Sequence, residues 1–587
     1  MRIELSRTAT VVLLVIVLAV GAVLRVIGLS YGLPFVYNPD EVAIMNRALA
    51  FATNGFNPHN FLYPTFYFYV LFAWEVLGYG VGRVFGVFDS LAAFERSYFA
   101  DPTWIFLVGR KLTALCGVAT IGATYALGRQ LSGRAAGVIA AAVLAVSPIA
   151  VRDAHYVKHD VPVTLLIVLT ILALFHAQAP RHAEAQRPRI GPPAALRRWV
   201  ICGAAAGLAM STHYYAVFLA VPIAIAALWP AASNDRLVDR LRRLAIAGAA
   251  AAIAFVAGSP YLIVEPARVI ADVVGNRQIV MDRVTESAGL FGSLGFYLQT
   301  LWRDGLGVFA ALCGAIGVAA MLRADLRRAA LLLAFPVAFL LFIGNTFPAT
   351  RYLNPVLPFA AVLAGVGASA LLVRVVRAGV FIAASAIVVG LLMSGGVISA
   401  RSDAFFLQAD TRTQAYEWTA QNLPSGSSVL IQPYSVPLRQ SRAGLVEALR
   451  TTLGDETRAS TRFRKQLALE PYPEPAYRTI YLGDGGLDQD KIYVSPSAFA
   501  DGTLAPLRAL AVTHVILKRY NQPDVALAPL DRALAKDAQL IVTFSPYRAA
   551  ATPTTRAAVS PFLHNTDATI DAALERPGPI VEIWRLR

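Results

Sequence analysis

The sequence predicts a mainly α-helical, polytopic membrane protein of about 11 transmembrane helices, with interfacial helices on one face and a small α/β domain at the C-terminal end. Two observations carry that expectation. The 587 residues are 56% apolar and only 15% charged, whereas soluble domains carry about 25% charged residues. The apolar residues also fall in long runs separated by short arginine-rich loops. A membrane span needs roughly 20 apolar residues, and the chain offers such runs at 8–29, 104–127, 135–151, 161–179, 198–212, 214–230, 244–262, 306–322, 329–345, 356–373 and 379–398. The first run lacks a small-residue cleavage site and reads as a retained helix.

The loops set the topology. Arg2 and Arg7 precede the first span, and Arg129 and Arg134 separate the second from the third. Arg181, Arg187, Arg189, Arg197 and Arg198 follow the fourth. Arg236, Arg240, Arg242 and Arg243 follow the sixth, Arg323, Arg327 and Arg328 the eighth, and Arg374 and Arg377 the tenth. With these crossings all six clusters share one side, which the positive-inside rule makes the cytoplasm. The formal net charge of +15 is thereby explained by loop placement, with no call for nucleic acid. The parity holds if residues 62–88 do not cross. Their aromatic run, Glu75 and Arg83 suit an interfacial helix on the outer leaflet.

The expected arrangement is a multi-pass protein of a bacterial inner membrane. Its N-terminus is cytoplasmic, its membrane domain covers 1–400, and its extracytoplasmic domain covers 401–587. Turn clusters and short apolar runs such as Ser428–Ile431 and Thr513–Leu517 give the tail its α/β reading. The cysteines, Cys116, Cys202 and Cys313, all fall inside apolar runs, without zinc-type spacing.

Polar clusters at the outer membrane border are the candidate site. Asp40 and Glu41 follow the first span; charge at such a position is functional by default, although Asp40 could instead cap a helix beginning at Glu41. The nine residues Arg152–Asp160 hold two acids, Lys158, Arg152, His155 and His159. The two histidines have i,i+4 spacing and would share a face if helical. A divalent metal ion is one candidate occupant; hydrogen bonding to the carboxylates is the other reading. Asp160 stands before Val161-Pro162 as a candidate N-cap. His213 lies at an outer turn, and Arg351-Tyr352 bring an arginine to a face that is otherwise poor in it. A carboxylate can take a proton from a hydroxyl, and an arginine can stabilise a departing phosphate. A phosphate arriving from the membrane belongs to a lipid.

These residues together resemble the protein O-mannosyltransferases and the lipid A aminoarabinose transferase, both of the type C superfamily of polyprenyl-phosphate-sugar glycosyltransferases. The resemblance rests on the acidic pair after the first helix, the aromatic-proline segment, and Ser147-Pro148 followed by Arg152 and Asp160. Arg110, Tyr125–Arg129, Gly133–Ala136 and Arg351-Tyr352 with Pro355 add to it, as do Asp410–Thr413, Trp418, Asn422 and Pro424 in the tail. It implies Asp40, Glu41 and Asp160 as the catalytic group, with Asp40 the base. It places Arg351 at the donor phosphate. Beside that carry-over, Tyr352, Lys158 and Arg283 are further candidates at the donor phosphate, and His155, His159, His213 and Tyr63 at the acceptor or cavity. It also implies a polyprenyl-phosphate-linked sugar donor, a lipid, glycan or protein acceptor, and inversion at the anomeric carbon. Two departures stand out: Tyr63-Pro64-Thr65 replaces a His-Pro-Pro, and no lysine accompanies His213. A transporter or flippase of lipid-linked sugars is the alternative, though the inverted repeats common in transporters are not evident.

Overall fold

The computed structural model describes residues 5–178, 193–230, 235–282, 289–486, 488–563 and 569–587. Every expected span is helical. Among the described residues seven helices are long and apolar enough to cross a membrane, or eight if one pair bent by 118° counts as a single span. Helix α1 (Arg7–Val26) is followed by α2 (Pro39–Asn54), α3 (Phe66–Val84), α4 (Leu91–Ala100) and the long α5 (Thr103–Ser132). Next come α6 (Arg134–Ala145), α7 (Pro148–Asp153), α8 (Asp160–Ala177), α9 (Pro193–Thr212), α10 (Ala220–Leu228) and α11 (Leu237–Gly258). After α12 (Tyr261–Val264), α13 (Pro266–Asp282) and α14 (Gly289–Thr300), the bundle closes with α15 (Val308–Ala324), α16 (Leu326–Ile343), α17 (Leu357–Arg377) and α18 (Phe381–Phe406).

The expected span at 135–151 is broken in two. Pro148 starts a new helix at its first position, where its missing N–H costs nothing. It also holds Ser147 in extended backbone at ψ 119°. The break turns α7 inward at one end of the bundle, and that is where the polar clusters meet. Helices approach closely through small residues: a Cβ on Gly367 of α17 would strike the carbonyl of Cys313 on α15, and one on Gly317 the carbonyl of Leu363. Arg25, the lone charge of the first span, is buried and donates to the carbonyl of Ala145 at 3.0 Å, tying α1 to α6.

Two expectations change here. Glu75, thought to keep residues 62–88 at an interface, is buried on the inner face of α3, where a Cβ on Gly109 of α5 would come within 3.3 Å of its Oε1. The boundary drawn at residue 400 also falls within α18. That helix runs on to Phe406, and the tail begins at α19 (Thr411–Asn422), capped by Asp410.

The tail is a six-stranded sheet of β1 (Ser428–Ile431), β2 (Arg478–Leu482), β3 (Ile492–Val494), β4 (His514–Arg519), β5 (Ala538–Phe544) and β6 (Ile580–Leu586), in the order β3-β2-β1-β4-β6-β5. The first four strands are parallel and the last two pairings antiparallel. The central strands are buried on both faces, as parallel strands require. Leu430, Val515 and Leu517 enter one core, while Val429, Ile431 and Ile516 enter the other.

An aromatic seam docks the tail on the membrane domain. Tyr31 stacks on Phe406 at 4.9 Å, and Phe405 meets Phe562 edge-on at 5.5 Å. The Arg412 guanidinium, paired with Asp410 at 2.7 Å, lies 3.8 Å over the Tyr37 ring.

Candidate active site

Asp40 sits in the first turn of α2, but it is not the cap. Asn38 caps the helix, its side-chain oxygen accepting from the Asp40 amide at 3.1 Å, and Pro39 is the first helical residue. The Asp40 side chain therefore does not make the cap. It is 43% exposed, and its Oδ2 lies 2.8 Å from Lys158 Nζ and 3.6 Å from Arg351 Nη1. The cations are themselves placed to meet an incoming anion.

Two buried struts hold this triangle. In the first, Glu41 is fully buried and forms a two-pronged pair with Arg110 of α5, at 2.9 Å and 2.8 Å. Its Oε1 also accepts the Val157 amide at 2.9 Å, next to Lys158. Arg110 donates further to the carbonyls of Leu29 and Tyr31, each at 2.7 Å. Both Glu41 oxygens accept from Arg110, and Oε1 also ties down the turn 154–159 at Val157. In the second strut, Arg152 and Asp153 pair at 2.7 Å, and Arg152 donates to Thr350 Oγ1 at 3.1 Å. Asn354 donates to Asp153 at 2.5 Å and to the Arg351 carbonyl at 2.9 Å. The short helical turn Thr350–Leu353, which carries Arg351, is fixed to α7 by these bonds.

Asp160 opens α8 as its first helical residue and does not cap it. It is buried within electrostatic reach of Lys158 and Arg351. Tyr352 lies beside Arg351, whose guanidinium is 5.4 Å from the tyrosine ring. The wall behind is aromatic. Tyr63 stacks on His159 at 4.4 Å and 13°, and His213 meets Tyr63 edge-on at 5.2 Å.

The histidine pair of the sequence reading comes apart. Residues 154–159 form a turn, not a helix, so the i,i+4 spacing puts His155 and His159 on no common face. His155 is spent on the carbonyls of Val151 and Ile27, at 2.9 Å and 2.7 Å, and lies outside the cavity. Among the described residues no three His, Cys, Asp or Glu side chains converge as a metal site would require. Arg283 lies outside the described residues.

Burial pushes His159 well below its ordinary value, and His213, its neighbour, is lowered to about 3. Both are neutral when folded. The unfolded chain protonates them below about pH 6.5, so it binds more protons there and stability falls as pH drops. Thermal melts from pH 7.5 to 5 are expected to show a melting temperature that falls progressively below about pH 6.5. His159→Phe, which keeps the stacking surface, is expected to flatten that slope.

The comparisons with known proteins concern the family and the fold. A family model described as dolichyl-phosphate-mannose-protein mannosyltransferase matches residues 106–263. That stretch runs from α5 to α12 and includes Lys158, Asp160 and His213, with Asp40 and Arg351 on either side of it. No curated protein sequence matches the chain to a significant degree. ArnT from Cupriavidus metallidurans, in a structure bound to undecaprenyl phosphate, is similar with a TM-score of 0.52 at 16% identity, over 92% of this chain and 96% of that one. The oligosaccharyltransferase AglB from Archaeoglobus fulgidus, in complex with an inhibitory peptide and a dolichol-phosphate, gives 0.52 at 12% identity, over 98% and 88%.

The fold is that of the type C glycosyltransferases. The chain resembles ArnT and the protein O-mannosyltransferases within it. In this fold the loop after α1, the turn before α8 and the turn before α17 converge at one end of the bundle. The struts were not evident from sequence as pairs. Arg110 and Glu41 could have been matched by one rule: a charge that points into an apolar bundle needs a partner. The bonds of Arg152, Asp153 and Asn354 carry no comparable signal, because those residues sit in or beside a dense polar cluster with many possible partners.

Proposed function

We propose that this protein transfers a sugar from a polyprenyl-phosphate donor to a hydroxyl of a lipid, glycan or protein at the extracytoplasmic face of the membrane. The observation that carries the reading is Asp40 between Lys158 and Arg351 at the mouth of an aromatic-walled site. The type C fold supports it, since ArnT and AglB were solved with undecaprenyl phosphate and dolichol-phosphate respectively.

The reaction is a single displacement. The lipid phosphate binds Arg351 and Lys158, which draws those cations from Asp40 and leaves its carboxylate as a free base. Asp40 takes the proton of the acceptor hydroxyl as its oxygen attacks the anomeric carbon. The bond from that carbon to the phosphate oxygen breaks, and the two cations stabilise the departing charge. Attack opposite the leaving group inverts the anomeric centre. Asp160 keeps Lys158 and Arg351 in place through its charge. Tyr63 and His159 offer a stacked face to the sugar.

Arg351→Ala is expected to weaken the donor by about 1.5–3 kcal/mol, roughly 10- to 100-fold. Arg351→Lys is expected to recover part of that loss, as a point charge without the fork. Measuring KM for the donor in purified protein checks both. Labelled donor should release polyprenyl phosphate only when an acceptor is present. A wild-type protein that moves intact donor across a bilayer and releases none would replace this reading with transport.

A further inference from the structure

The tail holds a second cleft, of about 550 Å³. It lies at the carboxyl ends of β1 and β4, where Gln432 follows one strand and Lys518-Arg519-Tyr520 end the other. The sheet order places it at a switch point. From β1 the chain runs outward through β2 to β3, then returns to the other side of β1 as β4. Open α/β sheets bind ligands in the crevice at such points.

The lining defines the ligand. Arg519 is already neutralised, bonding Asp531 at 2.5 Å and Glu582 at 3.0 Å. A phosphate would need a free guanidinium fork, and this one is occupied. Lys518 Nζ is sandwiched by aromatic faces, 5.3 Å from the Tyr434 ring and 5.6 Å from the Tyr520 ring. Trp584 stands on the same wall, its indole nitrogen donating to Glu582 at 3.2 Å. What remains is the Tyr520 and Trp584 rings, the Lys518 ammonium, and the amide and carboxylate oxygens of Gln432, Asn521, Gln522 and Asp524. Three carboxylates (Asp524, Asp531, Glu582) outweigh the two cations, Lys518 and Arg519, so the lining suits a neutral ligand with apolar ring faces and many hydroxyls. Arg412 links the cleft to the chain before Asp40. Arg412 is within electrostatic reach of Lys518 and Tyr520 and stacks on Tyr37, which precedes Asp40 by one short turn.

We propose that this cleft binds a neutral oligosaccharide, so that the acceptor is a glycan whose distal sugars rest on the tail while its reacting hydroxyl reaches Asp40. The acceptor role rests on the function proposed above; the binding itself does not. The test uses the full-length protein in detergent with neutral trisaccharides of mannose, galactose and arabinose, read by saturation-transfer NMR. At least one is expected to bind. Tyr520→Ala and Gln522→Ala are each expected to weaken it at least tenfold, and Asp40→Asn to leave it unchanged. Both replaced side chains line the cleft and neither is buried, so the fold is preserved.

The proposal is overturned if none of the three binds, if both variants bind as tightly as wild type, or if a neutral peptide of similar size displaces the sugar. Sugar binding together with full transfer by Asp40→Asn would overturn the function reading and leave the cleft standing. Asp40-dependent transfer with no sugar binding would do the reverse.

Discussion

Asp40→Asn is expected to lower transfer by about 10²–10⁴-fold, the usual range for losing a positioned general base, with little change in stability. Asparagine is nearly isosteric, and the helix cap is unaffected because Asn38, not Asp40, makes it. The Asp40 side chain is 43% exposed, and asparagine keeps an acceptor oxygen for the buried ammonium of Lys158. Donor binding should hold or tighten, since the two cations lose a competitor. The check is complementation: in a deletion strain, an Asp40→Asn allele should reach wild-type protein level in the membrane yet restore none of the modified envelope glycan or lipid seen by mass spectrometry.

Glu41→Ala is expected to act in the opposite way, on the fold before the chemistry. Removing one partner of a buried ion pair costs about 3–5 kcal/mol because the other charge is stranded. Here Arg110 would be left with only the carbonyls of Leu29 and Tyr31, and the Val157 amide with no acceptor. The turn 154–159 would loosen, and with it Lys158. The expected result is a large drop in melting temperature in detergent and low membrane abundance. Glu41→Gln keeps the shape and one acceptor oxygen, so it should lose less. Neighbouring residues, one charge each, thus separate cleanly: Asp40→Asn folds and does not transfer, while Glu41→Ala fails to accumulate.

Much of the bundle was legible because lipid admits few solutions. Apolar length and arginine placement located the helices, and the outer-border clusters at Asp40, Lys158, Asp160 and Arg351 do converge. Local chemistry that depends on contact was not legible. Whether Asp40 or Asn38 capped α2 turned on which side chain reached the amide. The helical spacing of His155 and His159 held no meaning once Pro162 and the break at Ser147-Pro148 left a turn between them. Glu41 read as a second acid because sequence shows proximity along the chain, while its partner Arg110 lies 69 residues away. The tail showed its strands but not their order, so the switch-point cleft between β1 and β4 could not be seen until β4 was found parallel to β1 on the side opposite β2.

The account stands most directly on a single-turnover measurement with a labelled polyprenyl-phosphate sugar and saturating acceptor, comparing wild type with Asp40→Asn at equal occupancy of donor. The prediction is equal donor binding in both, rapid release of polyprenyl phosphate by wild type, and release at least 100-fold slower, roughly the loss of one general base, by Asp40→Asn. Release by Asp40→Asn at close to the wild-type rate would contradict the assignment of Asp40 as the base.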